Sequence, residues 1–359
     1  MKILIVGFAK IKYMPYLKLY LENLSRETNE IHLVYWNRDE QTENLASVEG
    51  LKLHEFKSYQ EDEVSKISKI GNFLKFKKLV KSVLKDDFDF IIVLQSVTAI
   101  LLFDVLVSKR FKGRYIYDYR DSTYESIGVY KSLVEKLVSC SHTTLVSSKG
   151  FQKYLPVSEK IKFTHNILSE DLSYLNSKKY MKIFSDKIRI GFWGFLREEA
   201  INLKIIEKIS RDARFELHYY GREQKTVHNI KKYVSDNAIK NVFFHGEYEP
   251  NEKYEFLKNT DIIHNIYSGD KMLSATSNKF YDGVVFRVPQ ICMPGSYMGE
   301  SVKETGVGIA LDPYNDDFTD KLFEYYQNID REMFCENCET VLAEIIKEQE
   351  DVISVIRDI

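Results

Sequence analysis

The stretch KIRIGFWGF, Lys187 to Phe195, decides how the chain is read. It is an apolar run of β-branched and aromatic residues, broken only by charge at its start, with glycines at Gly191 and Gly194. A helical pattern, NLKIIEKIS, follows it. A short apolar run that gives way to a 3.6-period pattern reads as a buried strand feeding a helix. The chain begins the same way: MKILIVGF runs to Gly7, and the segment Pro15 to Leu24 then carries apolar residues at helical spacing. The pattern that opens the chain therefore restarts at Lys187.

Between the two starts, strands are expected at EIHLVYWNR, FDFIIVLQ, RYIYDYR and HTTLVSS. After the second start they are expected at FELHYYG, NVFFHGE, DIIHNIY and VPQICMP. Helical stretches separate them, and strand–helix alternation implies a parallel sheet covered on both faces. The polar, aperiodic segment Asp171 to Asp186 reads as a linker. The expectation is an α/β protein with Rossmann-like domains at 1–170 and 187–330, a linker at 171–186 and a Glu-rich helical segment at 331–359. Ligands of open α/β sheets bind outside the carboxyl ends of the strands, so function is sought in the loops after strands and in a cleft between the two domains.

Composition supports this size. The chain has 359 residues, which suits two domains of roughly 150–180 residues each. Its net charge of −2 gives no reason to expect a nucleic-acid partner. The first apolar run is too short for a signal peptide or a membrane span, so a cytoplasmic protein is expected. Of four cysteines, Cys335 and Cys338 form a CxxC. Without two further soft ligands nearby they read as free thiols on a helix. The acidic run Asp86 to Asp89 precedes a strand, the wrong end for a ligand-binding DxD, and no histidine pattern of a metal site occurs.

Several segments, in order, resemble a known family. YDYRDSTYES (Tyr117–Ser126) is similar to its RDxWPES turn, through Arg120, Asp121 and Glu125. FTHNILSED carries Asn166 where that family crosses between domains. IGFWGFLR resembles the first strand and loop of its donor domain, and NVFFHGEYEPNEKYEFLKNTDIIHNIY a later block of it. TSNKFYDGVVFRVPQICMPGS (Thr276–Ser296) resembles SNKFYEYLALGKPVI, with Asp282 in place of the usual Glu. The family is the GT-B glycosyltransferases, in the large retaining group that includes bacterial capsule and O-antigen transferases. The resemblance spans nearly the whole chain. It departs at Ser274, where many members carry a first Glu, and in the donor loop, where Arg197 is followed by Glu198, Glu199 and Ala200.

The resemblance implies the GT-B architecture and a transferase that moves a sugar from a UDP- or GDP-sugar to a lipid-linked saccharide or surface polysaccharide precursor. The nucleotide sugar is a substrate; no cofactor or metal is implied. Residue chemistry adds to this. Ser277 or Thr276 can cap a helix whose free N–H groups and dipole favour a diphosphate. Asn278 and Lys279 lie in its first turn, and Asp282 one turn on can accept two hydroxyls of a ribose. Gly194 allows close backbone approach, and Arg197 beyond it can fork onto phosphate. Tyr248 or Tyr220 can stack on the base. Asp121 and Arg120 are the catalytic candidates of the first domain, Arg197 and Lys279 those of the second. GNFLKFKKLVKSVLK (Gly71–Lys85) has Phe73, Phe76, Val80, Val83 and Leu84 on one broad face and lysines over the remainder, which suits an anionic membrane surface. Two other readings stand beside the transferase: a non-catalytic partner or glycan-binding subunit of this fold, and a sugar-nucleotide epimerase.

Overall fold

A computed structural model describes residues 1–60, 66–167, 169–172, 187–222 and 225–359. The chain divides into two compact units, Met1–His165 with Lys347–Ile359, and Asn166–Ile346.

The first unit is built on a seven-stranded parallel sheet of order β3-β2-β1-β4-β5-β6-β7. Its strands are β1 (Lys2–Val6), β2 (Glu30–Asn37), β3 (Lys52–Lys57), β4 (Phe90–Leu94), β5 (Tyr115–Tyr119), β6 (Thr143–Val146) and β7 (Ile161–Phe163). β4 and β5 are buried along their whole length, as expected of central strands covered on both faces. Phe76 of the helix Lys66–Val83 packs edge-on or stacked against Phe8, Trp36 and Phe56. That helix buries Phe76, Val80 and Val83.

The second unit has a six-stranded parallel sheet of order β10-β9-β8-β11-β12-β13. The strands are β8 (Ile188–Trp193), β9 (Phe215–Tyr220), β10 (Val242–Phe244), β11 (Ile262–Asn265), β12 (Gln290–Cys292) and β13 (Gly308–Ala310). The restart at Lys187 is thus the first strand of a second sheet. Every expected strand is present. In both units the order reverses beside the first strand, between β1 and β4 and between β8 and β11.

Side-chain contacts explain the division of the chain. Asn166 donates to Asn278 (3.1 Å), and Asp171 is held by Lys253 and Tyr254, so the short helix Ser169–Leu172 belongs with the second unit. Beyond Leu172, the expected linker lies outside the described residues. Residues 331–359, read above as a separate helical segment, form one helix, Arg331–Arg357. Its Phe334, Cys338, Leu342 and Ile345 join the apolar core of the second unit. Val352 and Ile356 join that of the first, where Glu348 pairs with Lys149 (2.8 Å) and His165 (2.8 Å). Burial pushes the Cys338 thiol up to about 12, and Cys335 also upward. The CxxC is a packing feature of this helix.

Candidate functional site

In the second unit, the loops after β8, β9 and β10 are joined backbone to backbone. Gly194 N donates to Tyr220 O (2.9 Å), and Gly221 N to Gly246 O (2.7 Å). A Cβ on Gly221 would run into the Gly194 carbonyl, so only glycine allows the two loops to meet. Gly194 itself has φ 106°, outside the range of ordinary residues.

The helix Asn278–Val285 starts at the carboxyl end of β11. Ser277 is its cap: its Oγ accepts from Phe280 N (3.3 Å) and donates to Asn265 Oδ1 (2.7 Å). Asn265 in turn donates to Gln290 Oε1 (2.7 Å), and Gln290 Nε2 to Phe280 O (3.0 Å). This buried polar chain ties the helix to β11 and β12, every link satisfied. It holds two charged side chains in the interior, Lys279 and Asp282, each 5% exposed.

Lys279 Nζ donates to Tyr267 Oη (2.5 Å) and lies 4.2 Å from the centre of the Phe192 ring. Among the described residues no carboxylate lies within ion-pair distance of it. A buried ammonium without a counter-ion is costly, so an anion bound beside it would be stabilised. His264, close by, is pushed down to about 3 by burial and then by Lys279. It is a neutral imidazole: Nδ1 accepts from Ile266 N (3.1 Å), which leaves Nε2–H to donate to Asn202 Oδ1 (3.2 Å).

Asp282 is committed to protein partners. Its Oδ2 accepts from Trp193 Nε1 (2.8 Å) and its Oδ1 from Lys253 Nζ (2.8 Å). Lys253 also reaches both oxygens of Asp171 (2.9 and 3.1 Å), and Tyr254 donates to Asp171 Oδ1 (2.9 Å). One largely enclosed lysine side chain therefore bridges two buried carboxylates. Burial raises Asp282 above the usual carboxylate range, against the pull of Lys253 and Trp193. Burial alone would lower Lys253, but the two carboxylates hold it up. The ribose role expected for Asp282 meets a carboxylate already bonded at both oxygens.

The other expected residues fall into place as follows. Asn278 is exposed at the helix start and accepts from Asn166. Arg197 is exposed, its guanidinium over the Phe195 ring (5.0 Å), and it pairs with neither Glu198 nor Glu199. Tyr220 is sandwiched between His245 (4.2 Å) and Phe256 (4.1 Å), which leaves neither ring face for a base. Tyr248 packs edge-on against Phe256 (5.2 Å), and burial pushes its hydroxyl up to about 12.

In the first unit, Arg120 is buried and donates from Nε to Asp118 Oδ1 (2.8 Å), beside Tyr20, whose hydroxyl donates to Asp118 Oδ2 (2.7 Å). Its guanidinium also lies over Tyr16 (4.2 Å). Burial raises Asp118, opposed by Arg120 and Tyr20. Glu125 is buried too and accepts from Tyr119 Oη (2.8 Å) and Thr123 N. Asp121, at the carboxyl end of β5, is exposed; its carbonyl accepts from Ser96 (3.0 Å). Arg120 therefore pairs with Asp118.

Sequence reasoning missed Lys253, Trp193 and Asp171. The available signals were faint: one of only two tryptophans at a strand end, and a lysine within an otherwise ordinary amphipathic helix.

No protein-family model matches the sequence, and no curated protein matches it. Solved structures do. The chain is similar to sucrose-phosphate synthase from Thermosynechococcus elongatus, with a TM-score of 0.67 at 8% identity over 99% of this chain and 94% of that one. It is similar to HepE from Anabaena in complex with UDP, with a TM-score of 0.66 at 10% identity over 100% of both chains. A glycosyltransferase from Rickettsia africae gives a TM-score of 0.64 at 12% identity over 99% and 98%. At such identities the likeness shows the fold: two Rossmann-like parallel-sheet domains, the GT-B architecture.

Proposed function

We propose that the chain is a glycosyltransferase that takes its sugar from a nucleotide diphosphate donor, with UDP favoured over GDP. One observation carries the reading. Lys279 is an ammonium buried at the first turn of a capped helix, at the carboxyl end of β11, with no carboxylate partner among the described residues. A diphosphate supplies the missing charge, and the helix N–H groups add to its binding. The preference for UDP is supported by the fold's likeness to HepE, solved with UDP and with UDP-glucose.

In this reading the second unit binds the donor. Lys279, the start of its helix with Asn278, and Arg197 stabilise the diphosphate as it leaves, without a metal. Gly194 permits close approach of the loop, and Tyr248 borders the base. Asp282 acts indirectly: it fixes Trp193 and Lys253 beneath the donor. Asp121 of the first unit serves the acceptor, with Arg120 holding the turn that carries it. Retention of configuration, a lipid-linked saccharide or surface polysaccharide acceptor, and action at the inner face of a membrane complete the proposal. The membrane element is supported by the helix Lys66–Val83, which exposes Ile70 and Leu74 among Lys75, Lys78 and Lys81. No helix among the described residues is long and apolar enough to cross a membrane.

The test is calorimetric titration of UDP and GDP into the wild type and Lys279→Met. Micromolar binding of one nucleotide, weakened about 10- to 100-fold in the variant, supports the proposal. Equal binding by both proteins, or no binding of either nucleotide, overturns it.

A further inference from the structure

Glu198 has an unusual conformation and an unusual set of partners. It ends the loop after β8 at φ 59°, ψ 71°, in the left-handed region that few residues with a side chain adopt. Its Oε2 accepts from Ser268 N (2.6 Å), Ser268 Oγ (3.0 Å) and Gly269 N (3.1 Å). Two successive backbone N–H groups and a hydroxyl thus converge on one anionic oxygen, the arrangement by which loops bind anions. A Cβ on Gly269 would lie 2.8 Å from Glu198 Oε1, so the carboxylate is seated tightly against the loop backbone.

The place matters as much as the contacts. Ser268 and Gly269 lie in the loop after β11, and Glu198 in the loop after β8. These strands are neighbours, and the strand order reverses between them. The crevice at such a reversal is where open α/β sheets bind ligands. Glu198 bridges it. The chain puts a negative charge on amides that flank this crevice.

We propose that Ser268 and Gly269 form an anion-binding site that Glu198 itself occupies, and that a phosphate-bearing ligand entering the crevice must displace the Glu198 carboxylate. The site is an autoinhibitory latch. It sets a threshold on ligand affinity and favours ligands with enough other contacts to open it. That the displacing group is the diphosphate of a nucleotide sugar rests on the function proposed above; the latch does not.

A simple staple between two loops would use the same hydrogen bonds, and the two roles predict opposite results. Glu198→Gly removes the carboxylate, and glycine adopts the left-handed backbone without strain. Inorganic phosphate, pyrophosphate and UDP would be titrated into the full-length wild type, Glu198→Gly and Glu198→Gln, with urea midpoints recorded for each. The latch predicts pyrophosphate binding at least tenfold tighter in Glu198→Gly, a smaller gain in Glu198→Gln, and little change in midpoint. A staple predicts a lower midpoint and no gain, which overturns the proposal. If Glu198→Gly gains affinity for pyrophosphate but neither protein binds UDP, the latch stands and the nucleotide-donor reading falls. If UDP binds the wild type and all three ligands bind Glu198→Gly with unchanged affinity, the donor reading stands and the latch falls.

Discussion

Lys253 Nζ lies 2.8 Å from Asp282 Oδ1, and this contact is one half of a bridge that continues to Asp171. Both carboxylates and the ammonium are almost wholly enclosed. Removing the lysine strands two buried negative charges. Breaking a buried pair from one side costs roughly 3–5 kcal/mol. Lys253→Met should therefore lower the melting temperature of the second unit by about 10 °C. Asp282→Asn keeps an acceptor for Trp193 and should cost much less. Differential scanning calorimetry of both variants checks the order; equal losses would refute the bridge as described. The same geometry warns against Asp282→Ala as a probe of ribose contact, because its nucleotide affinity would fall through the displaced Trp193 and Lys253.

Lys279 should behave in the opposite way. It has no carboxylate to strand, so Lys279→Met removes a buried charge and replaces it with an apolar chain of similar length. Stability should hold or rise. Nucleotide affinity should fall about 10- to 100-fold, the worth of a charge-assisted bond to phosphate. Urea unfolding and calorimetric titration on the same preparations separate the two effects. A variant that loses stability along with binding would mark Lys279 as a structural residue.

Most of the expected strands are central ones, whose sequences are apolar runs because parallel strands there are buried on both faces; the edge strand β10 was legible from its own apolar run, VFF. β3, β7 and β13 were not expected, and all three are sheet edges with no buried residue in their lengths. An edge strand needs apolar residues on fewer positions, and KLHEFK or IKF carries too few to stand out from a loop. The site divides along similar lines. Ser277, Asn278 and Lys279 were legible because capping leaves a local signature at fixed spacing. Lys253 and Asp171 were not, because their meaning depends on meeting Asp282 from 29 and 111 positions away in the chain (253 and 171 against 282). Arg120 and Asp121 are adjacent in sequence, yet alternation along the strand end sends them to different surroundings, one to Asp118 and the other to the surface.

The buried Arg120 and the exposed Asp121 give a paired prediction. Arg120→Met leaves Asp118 buried with only the Tyr20 hydroxyl, and should cost roughly 3–5 kcal/mol of stability. Asp121→Asn, at an exposed position, should change stability by about 0.5 kcal/mol or less. If Asp121 acts at the acceptor, the same change should reduce turnover by at least about 100-fold. Chemical denaturation and single-turnover transfer to a saccharide acceptor read the two separately. Unchanged turnover in Asp121→Asn would remove it from the reaction.

His264 predicts how the second unit responds to acid. Unfolded, its imidazole takes a proton below about pH 6.5. Folded, it resists until about pH 3, because it is buried, Lys279 is near, and its Nδ1 already accepts from Ile266 N. Between those limits the unfolded chain binds the proton that the folded chain refuses. Stability from this residue is therefore complete above about pH 6.5 and is lost as pH falls toward 3, by about 2 kcal/mol at pH 5. Protonation would also end the acceptance from Ile266 N and set a second positive charge beside Lys279. Urea unfolding at pH 7.5, 6 and 5 should show the decline in the wild type and a shallower one in His264→Asn, which keeps a donor and an acceptor without the titration. A bound diphosphate should flatten the wild-type decline as well, since it neutralises the lysine that disfavours the imidazolium. Parallel slopes for wild type and His264→Asn would show that other groups govern acid unfolding.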